Sequence, residues 1–224
     1  MFRKSNLFFL WRKQVLDFAI EDECDGIVVG IDEAGRGPWA GPVVAGAVII
    51  KDRNLSDVLL KGLDDSKKLS AVKREKLYDA LFEAQTEGKL IIGIGEASAK
   101  EIDELNILQA TFVAMKRALD KLGMVPDMVL VDGNQMPKNF PCKCRTVIKG
   151  DARSMSIAAA SIVAKVYRDR LMCDLAEKYP YYGFEKNAGY GTALHQKGLA
   201  EYGICEEHRR SYKPIKEKIR ILGY

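Results

Sequence analysis

The stretch "GIDEAGRGPWAGPV", residues Gly30–Val43, carries two adjacent acids and a glycine-rich turn between two apolar runs of the chain. The runs "GIVVGID" and "PVVAGAVII" are rich in β-branched residues, so they predict two neighbouring buried strands. A nucleotide-phosphate cradle needs a glycine turn that opens a helix, whereas Pro38 and Pro42 bracket this turn and a strand follows it. The glycines also read G-x-G-x-x-x-G, and no Gly-Lys-Ser/Thr follows them. The stretch is therefore neither a P-loop nor a Rossmann turn.

Strands and helices alternate in the rest of the chain. Further strands are predicted at "KLIIGIGEAS", "DMVLVD" and "CRTVIKG". Apolar periodicity predicts helices at residues 12–23, from 70 onward, at 99–123, at 154–178, near "TALHQKGLAEYG" and near "KPIKEKIRILG". Because helices separate several of the strands, we expect parallel crossovers and a mixed sheet.

The composition is ordinary for a globular protein, with 224 residues, 47% apolar and 29% charged. The five cysteines are odd in number and scattered, which favours free thiols in a reducing compartment over a disulfide framework. The apolar run Leu7–Trp11 is too short for a signal peptide or a membrane span. We therefore expect a cytoplasmic protein without a membrane association.

Positive charge is concentrated in one part of the chain. The net charge is only +4, but residues 143–170 hold seven Lys or Arg against two Asp. A polyanion could dock on this segment, and a solvated helix face is the alternative interpretation.

Four acids stand where predicted strands end: Asp32, Glu33, Asp132 and Asp151. In open α/β sheets ligands bind at the carboxyl ends of strands, so these acids could converge. Converging carboxylates repel one another unless cations neutralise them, and Mg²⁺ binds such groups together with substrate phosphate oxygens. The pattern suits two-metal hydrolysis of a phosphodiester. Each acid alone also fits an ordinary turn or cap, and Asp151 is a candidate N-cap of the helix after it.

The turn beside the first two acids carries Gly35, Arg36 and Gly37. Glycines let the backbone approach a ligand closely, and the arginine between them offers a cation. We interpret the turn as a backbone contact for nucleic acid. A hairpin turn that only needs positive φ would explain the glycines but not the arginine.

Five motifs occur in order: "GIDEAGRGPWAGPVVAGAVI", "LDDSKKLS", "VLVDGN", "IKGDARSMSIAAASIVAKVYRDRLM" and "GYGTALH". With them the sequence closely resembles the bacterial type 2 ribonucleases H, the ribonuclease HII family, from about residue 26 to 214. The resemblance implies an α/β, RNase H-like fold, in which helices flank a mixed five-stranded sheet and a helical C-terminal extension completes the substrate groove. We expect a leader at residues 1–25, a catalytic core at 26–183 and the C-terminal part at 184–224.

The resemblance also implies the activity, which is endonucleolytic cleavage of RNA in RNA–DNA hybrids and on the 5′ side of single ribonucleotides embedded in duplex DNA. The products would carry 5′-phosphate and 3′-hydroxyl ends, and the cofactor would be Mg²⁺ or Mn²⁺. We expect a monomer. Two alternatives remain: another RNase H-fold nuclease, such as a junction resolvase, and a catalytically idle hybrid-binding protein.

The family's motifs fall on particular residues of this sequence. Its metal-binding acids fall on the four carboxylates named above, and its junction-contacting Gly-Arg-Gly motif falls on residues 35–37. Its junction-reading tyrosine falls on Tyr190, whose ring would stack on the sugar of the following deoxyribonucleotide. Lys67, Lys165 and Arg168 are expected phosphate contacts. His208 in "HRRSYKP" fits a family motif and is given no catalytic role.

Overall fold

A five-stranded mixed sheet forms the centre of the molecule, in a computed structural model that describes residues 16–223. The strand order is β3-β2-β1-β4-β5, where the pairs β1–β2 and β2–β3 are antiparallel and the pairs β1–β4 and β4–β5 are parallel. The strands are β1 Val28–Ala34, β2 Val43–Ile50, β3 Leu90–Ala97, β4 Met128–Asp132 and β5 Lys143–Val147. All five predicted strands and the mixed sheet are confirmed.

Helices cover both faces of the sheet. The helices are α1 Ala19–Asp22, α2 Asp57–Gly62, α3 Ala71–Thr86, α4 Ala99–Leu105, α5 Ile107–Asp120, α6 Met155–Lys178, α7 Phe184–Asn187, α8 Ala193–Tyr202 and α9 Lys213–Leu222. One face packs on α5, and the other face packs on α6. Of the helix predicted at residues 12–23, residues 12–15 lie outside the described part, and the described part is helical only in α1.

The long helix α6 lies directly on the backbone of the two central strands. A Cβ on Gly30 of β1 would collide with the backbone of Ser156, and one on Gly46 of β2 would meet the carbonyl oxygen of Ala160. The alanines 158–160 of α6 are fully buried. Small residues on both sides therefore bring the N-terminal half of α6 against β2 and against β1, the strand that carries Asp32 and Glu33.

The segment 99–123 is two helices and not the single helix that its periodicity predicts. The chain turns at Asn106, whose φ is 71°. Its side chain accepts hydrogen bonds from the N–H groups of Leu108 and Gln109 and so caps α5. Asparagine tolerates the left-handed region better than most residues, so a local capping bond interrupts an otherwise continuous apolar stripe.

The C-terminal helices pack on the distal end of α6. Their buried contact consists of Met172, Tyr182, Phe184, Leu199 and Ile215, with Ala40 from the glycine-rich stretch. This packing brings the residues after 184 against the turn that follows β1. Within residues 16–223 no helix combines the length and the apolar character that crossing a membrane requires.

Candidate active site

Three carboxylates meet at one edge of the sheet. Asp32 lies on β1, Asp132 ends β4, and Asp151 lies in the short 3-10 turn Gly150–Ala152 after β5. One oxygen of each carboxylate lies within 4.8 Å of the oxygens of the other two. Because β1, β4 and β5 run parallel, their carboxyl ends share an edge, as the sequence predicts.

Two of these carboxylates, those of Asp32 and Asp151, are buried, and their pKa values are raised. Burial raises the pKa of Asp32 well above its usual value, and the charges of Glu33 and Asp132 raise it further. Burial, with the charge of Asp132, raises the pKa of Asp151 to about 6. Both residues are almost inaccessible, at 4% and 5% exposure. A hard divalent cation would relieve this repulsion, and the oxygen-only donor set fits such an ion.

Glu33 does not belong to this group of three carboxylates, although its charge raises the pKa of Asp32. Neighbouring residues of a strand point to opposite faces of the sheet, so Asp32 and Glu33 diverge. The Glu33 carboxylate accepts a hydrogen bond from Arg36 at 3.2 Å. Burial raises the pKa of Glu33, and Arg36 opposes that rise. Its predicted metal ligation stays a prediction.

The cap of α6 differs from the expected one. Ser154, and not Asp151, accepts a hydrogen bond from the N–H of Ile157 and caps the helix. Asp151 precedes this cap, and its carboxylate belongs to the acidic cluster. The candidate N-cap role of Asp151 is therefore wrong, because the serine three residues later has the cap geometry.

A further acid next to the cluster was not predicted as a site residue. The charge of Asp65 raises the pKa of Asp151, after the larger effects of burial and Asp132. Asp65 also accepts a hydrogen bond from the N–H of Lys67 at 2.9 Å, which shapes the turn. Its position in the "LDDSKKLS" motif was the available signal.

The three expected phosphate contacts have different surroundings. The Lys67 side chain is 78% exposed, and its ammonium nitrogen lies 3.9 Å from Asp151 Oδ2. Burial lowers the pKa of Lys67, but Asp32 and Asp151 outweigh this effect and raise it. Lys165 is half-buried and donates to Asp169 at 2.6 Å.

For Arg168 the expected phosphate contact is wrong. Its side chain is 2% exposed. Its guanidinium donates to the carbonyl oxygens of Pro42 at 2.9 Å, Ala188 at 2.9 Å and Ala40 at 3.2 Å. A buried cation whose donors face backbone carbonyls is unavailable to a surface phosphate, so Arg168 ties α6 to the chain after the turn.

The Gly-Arg-Gly turn and Tyr190 lie side by side. A Cβ on Gly37 would come within 3.3 Å of the Tyr190 ring. Gly35 has a φ of 94°, and a Cβ there would collide with the side chain of Arg168. The Tyr190 ring is 51% exposed and Arg36 is exposed. The structure therefore brings the two predicted junction-contacting elements, far apart in sequence, onto one surface.

Arg209 supports this turn and was missed by sequence reasoning. Its side chain is fully buried. Its guanidinium donates to the carbonyl oxygens of Gly35 at 2.5 Å, Arg36 at 3.0 Å, Gly41 at 2.9 Å and Pro42 at 3.2 Å. An arginine in the basic run "HRRSYKP" resembles a surface residue, so nothing in its local sequence indicated burial.

The fold and the acidic cluster are typical of one class of protein, the metal-dependent enzymes that cleave phosphodiesters at the edge of a mixed sheet. The family model described as Ribonuclease HII matches residues 29–215. The ribonuclease HII of Rhodospirillum rubrum is 52% identical over 203 residues, covering 91% of each chain. That of Paramagnetospirillum magneticum is 54% identical over 199 residues, covering 89% of this chain and 96% of the relative.

A solved structure is similar as well. The ribonuclease H2 of Pyrococcus horikoshii superposes with a TM-score of 0.70 at 30% identity, covering 88% of this chain and 99% of that one. The chain belongs to the ribonuclease HII family and is a ribonuclease H enzyme. The predicted family, fold class and enzyme class are confirmed.

Proposed function

We propose that this enzyme cuts the RNA strand of RNA–DNA hybrids and cuts on the 5′ side of a single ribonucleotide embedded in duplex DNA. The products carry 5′-phosphate and 3′-hydroxyl ends, and the cofactor is Mg²⁺ or Mn²⁺. The observation that supports the proposal is the short distance along the chain between Asp32 of the acidic cluster and the Gly-Arg-Gly turn. Asp32 lies two residues before Ala34 at the end of β1, and the Gly-Arg-Gly turn that meets Tyr190 begins immediately after that strand.

Asp32, Asp132 and Asp151 would hold the metal, and Glu33 is a further ligand in this proposal. Bound divalent ions supply activation of water and stabilisation of charge on the scissile phosphate. The protein side of the reaction is orientation. The Glu33 N–H donates to Asp32 at 2.7 Å, and the Gly150 N–H donates to Asp132 at 2.6 Å, so backbone donors hold both carboxylates in place.

In this proposal RNA is recognised by the Gly-Arg-Gly turn together with Tyr190. The backbone of Gly35, Arg36 and Gly37 is open to close approach and would hydrogen-bond the 2′-hydroxyl beside the cut. The exposed Tyr190 ring would stack on the next sugar, where a 2′-hydroxyl would clash. Lys67 stands at the rim of the acidic cluster and would contact a substrate phosphate, and Lys165 is a second proposed phosphate contact.

The test uses three duplexes of one sequence: all DNA, DNA with one ribonucleotide, and an RNA–DNA hybrid. The full chain is incubated with each duplex and Mg²⁺ or Mn²⁺, beside Asp32→Asn. We expect one cut 5′ of the ribonucleotide, cutting throughout the hybrid RNA, an intact all-DNA duplex and a fall of at least about a thousandfold in Asp32→Asn.

Two outcomes would support the alternatives. Cutting of the all-DNA duplex would indicate another RNase H-fold nuclease. Tight binding of the hybrid without cutting in either metal would indicate an idle binding protein. A monomeric state, a cytoplasmic location and the boundary at residue 184 stay predictions.

A further inference from the structure

Two buried histidines form a chain of hydrogen bonds that ends on the backbone of Tyr190. The Cys205 N–H donates to His208 Nδ1 at 2.9 Å, so this nitrogen carries no proton. His208 Nε2 lies 2.9 Å from His195 Nε2, and His195 Nδ1 lies 3.0 Å from the Tyr190 carbonyl oxygen. The carbonyl can only accept, so each imidazole donates in the direction of Tyr190.

Both histidines are fully buried and neutral. Burial lowers the pKa of His195, and burial together with the neighbouring imidazole lowers the pKa of His208 to about 3. The rings of Trp39, Tyr182 and Phe184 pack around them. The pair therefore does not touch substrate, and it holds one carbonyl of the residue that bears the exposed ring.

Arg209, the residue after His208, holds the Gly-Arg-Gly turn. Arg209 donates to four carbonyl oxygens of residues 35–42, including those of Gly35 and Arg36. Tyr212 adds a hydroxyl that donates to the Arg36 carbonyl at 2.5 Å and accepts from Arg209 at 3.0 Å. Peptide carbonyls held in this way fix the orientation of the N–H groups between them.

His208 and Arg209 lie in a short backbone segment that pairs with residues 39–41. The Arg209 N–H donates to the Trp39 carbonyl at 2.8 Å, and the Gly41 N–H donates to the Glu207 carbonyl at 2.9 Å. Within residues 16–223 no carboxylate lies within 4 Å of the Arg209 guanidinium. Its donors face backbone carbonyl oxygens and the Tyr212 hydroxyl, and it lies 5.1 Å from the centre of the Tyr212 ring. A buried cation is costly unless its donors are satisfied. Apart from the Tyr212 hydroxyl, the acceptors of the Arg209 guanidinium all belong to the stretch 35–42.

We infer that His208 and Arg209 are positioning residues that set the distance between the Gly-Arg-Gly turn and Tyr190, and thereby the enzyme's preference for a ribonucleotide followed by DNA. The inference rests on the proposed function. The side chains of His208 and Arg209 leave one backbone segment in different directions. His208 reaches Tyr190 through His195, and Arg209 reaches the Gly-Arg-Gly turn. A shift of this segment moves the two elements relative to each other without changing the acids.

The test compares Arg209→Lys with Arg210→Lys, the same change one residue later at an exposed arginine. Lysine keeps the charge but cannot serve four carbonyls. For each full-length variant, kcat/KM is measured on a duplex with one ribonucleotide and on a uniform RNA–DNA hybrid, together with the Mg²⁺ dependence. We expect the ratio of the two values to fall about tenfold in Arg209→Lys, which is the effect of one misaligned hydrogen bond. We expect the ratio of Arg210→Lys, and the Mg²⁺ dependence of both variants, to match those of the wild type.

Two mutant cycles show whether the residues act through the elements they contact. His208→Asn keeps the acceptor for the Cys205 N–H but cannot reach His195, so it breaks the chain to Tyr190. Its effect should largely disappear in a Tyr190→Ala background, and the effect of Arg209→Lys should largely disappear in an Arg36→Ala background. Additive losses in both cycles would overturn the inference.

The milder Tyr212→Phe keeps the test decisive if Arg209→Lys does not fold. It removes one hydroxyl bonded to the Arg36 carbonyl, and we expect the same ratio to fall a few-fold. An equal loss on both substrates would show a general structural role and overturn the inference while leaving the proposed function intact. A wild-type protein that cuts neither substrate would refute the proposed function itself.

Discussion

Asp151→Asn should stabilise the metal-free protein at neutral pH, although it removes one carboxylate of the acidic cluster. The pKa of Asp151 is raised from 3.8 to about 6, chiefly by burial and then by Asp132. Each pKa unit corresponds to 1.36 kcal/mol, so ionising Asp151 in the folded protein costs about 3 kcal/mol more than in the unfolded chain. Asparagine carries no charge and avoids that cost.

The sign of the pH dependence follows from the same shift. A carboxyl whose pKa is higher in the folded state binds its proton more tightly there, so folding is favoured when it is protonated. The contribution of Asp151 is most favourable below about pH 4 and is lost as the pH rises through about 6. The stability difference between variant and wild type should therefore grow from near zero at pH 4 to about 3 kcal/mol at pH 8.

The measurement is urea unfolding in EDTA between pH 4 and pH 8, repeated with saturating Mg²⁺. Asp174→Asn, at an exposed position of α6, controls for the loss of one negative charge. With Mg²⁺ the wild type should gain stability by mass action, and Asp151→Asn should gain less. A variant less stable than the wild type at pH 8 in EDTA, or a difference that does not change with pH, would refute this account of the cluster.

Three further changes have defined outcomes. Gly35→Ala should lower the free energy of unfolding by more than Gly88→Ala in thermal or urea unfolding, because both have positive φ but only Gly35 faces a collision, with Arg168. Gly88→Ala should cost about 1 kcal/mol, and equal losses would contradict the collision. Glu21→Ala should cost about 3 kcal/mol, since one Glu21 oxygen accepts three hydrogen bonds from Ser154 and Ser156 at the start of α6; an unchanged urea midpoint would oppose this role. Arg168→Met should cost about 3 kcal/mol, because the Ala40 and Ala188 carbonyls lose their guanidinium donor and the Pro42 carbonyl keeps only the bond from Arg209. The salt dependence of substrate binding should not change, and a reduced salt slope would restore Arg168 as a phosphate contact.

The sequence predicted the local features because they depend on near neighbours. Apolar β-branched runs predicted β1 and β2, and the prolines around the glycine turn excluded a phosphate-binding helix. The acids at strand ends could be expected to meet, because parallel strands present their carboxyl ends together. The apolar periodicity of residues 99–123 predicted one helix and missed the break at Asn106. The Asn106 side chain caps α5 and so divides the predicted helix in two.

Tertiary structure alone decided which charged residues are exposed and which are internal. Residues 36, 168 and 209 are all arginines. Arg36 is exposed, whereas Arg168 and Arg209 are buried against backbone carbonyls. Burial of an arginine depends on acceptors supplied by chain segments more than 100 positions away, such as the Pro42 carbonyl for Arg168 and the Gly35 carbonyl for Arg209. Such acceptors come into reach only in the folded chain, so no periodicity or local motif could reveal them. The sequence by itself determined the strands, the acids and the family. The packed chain determined which side chains hold the turn beside Tyr190.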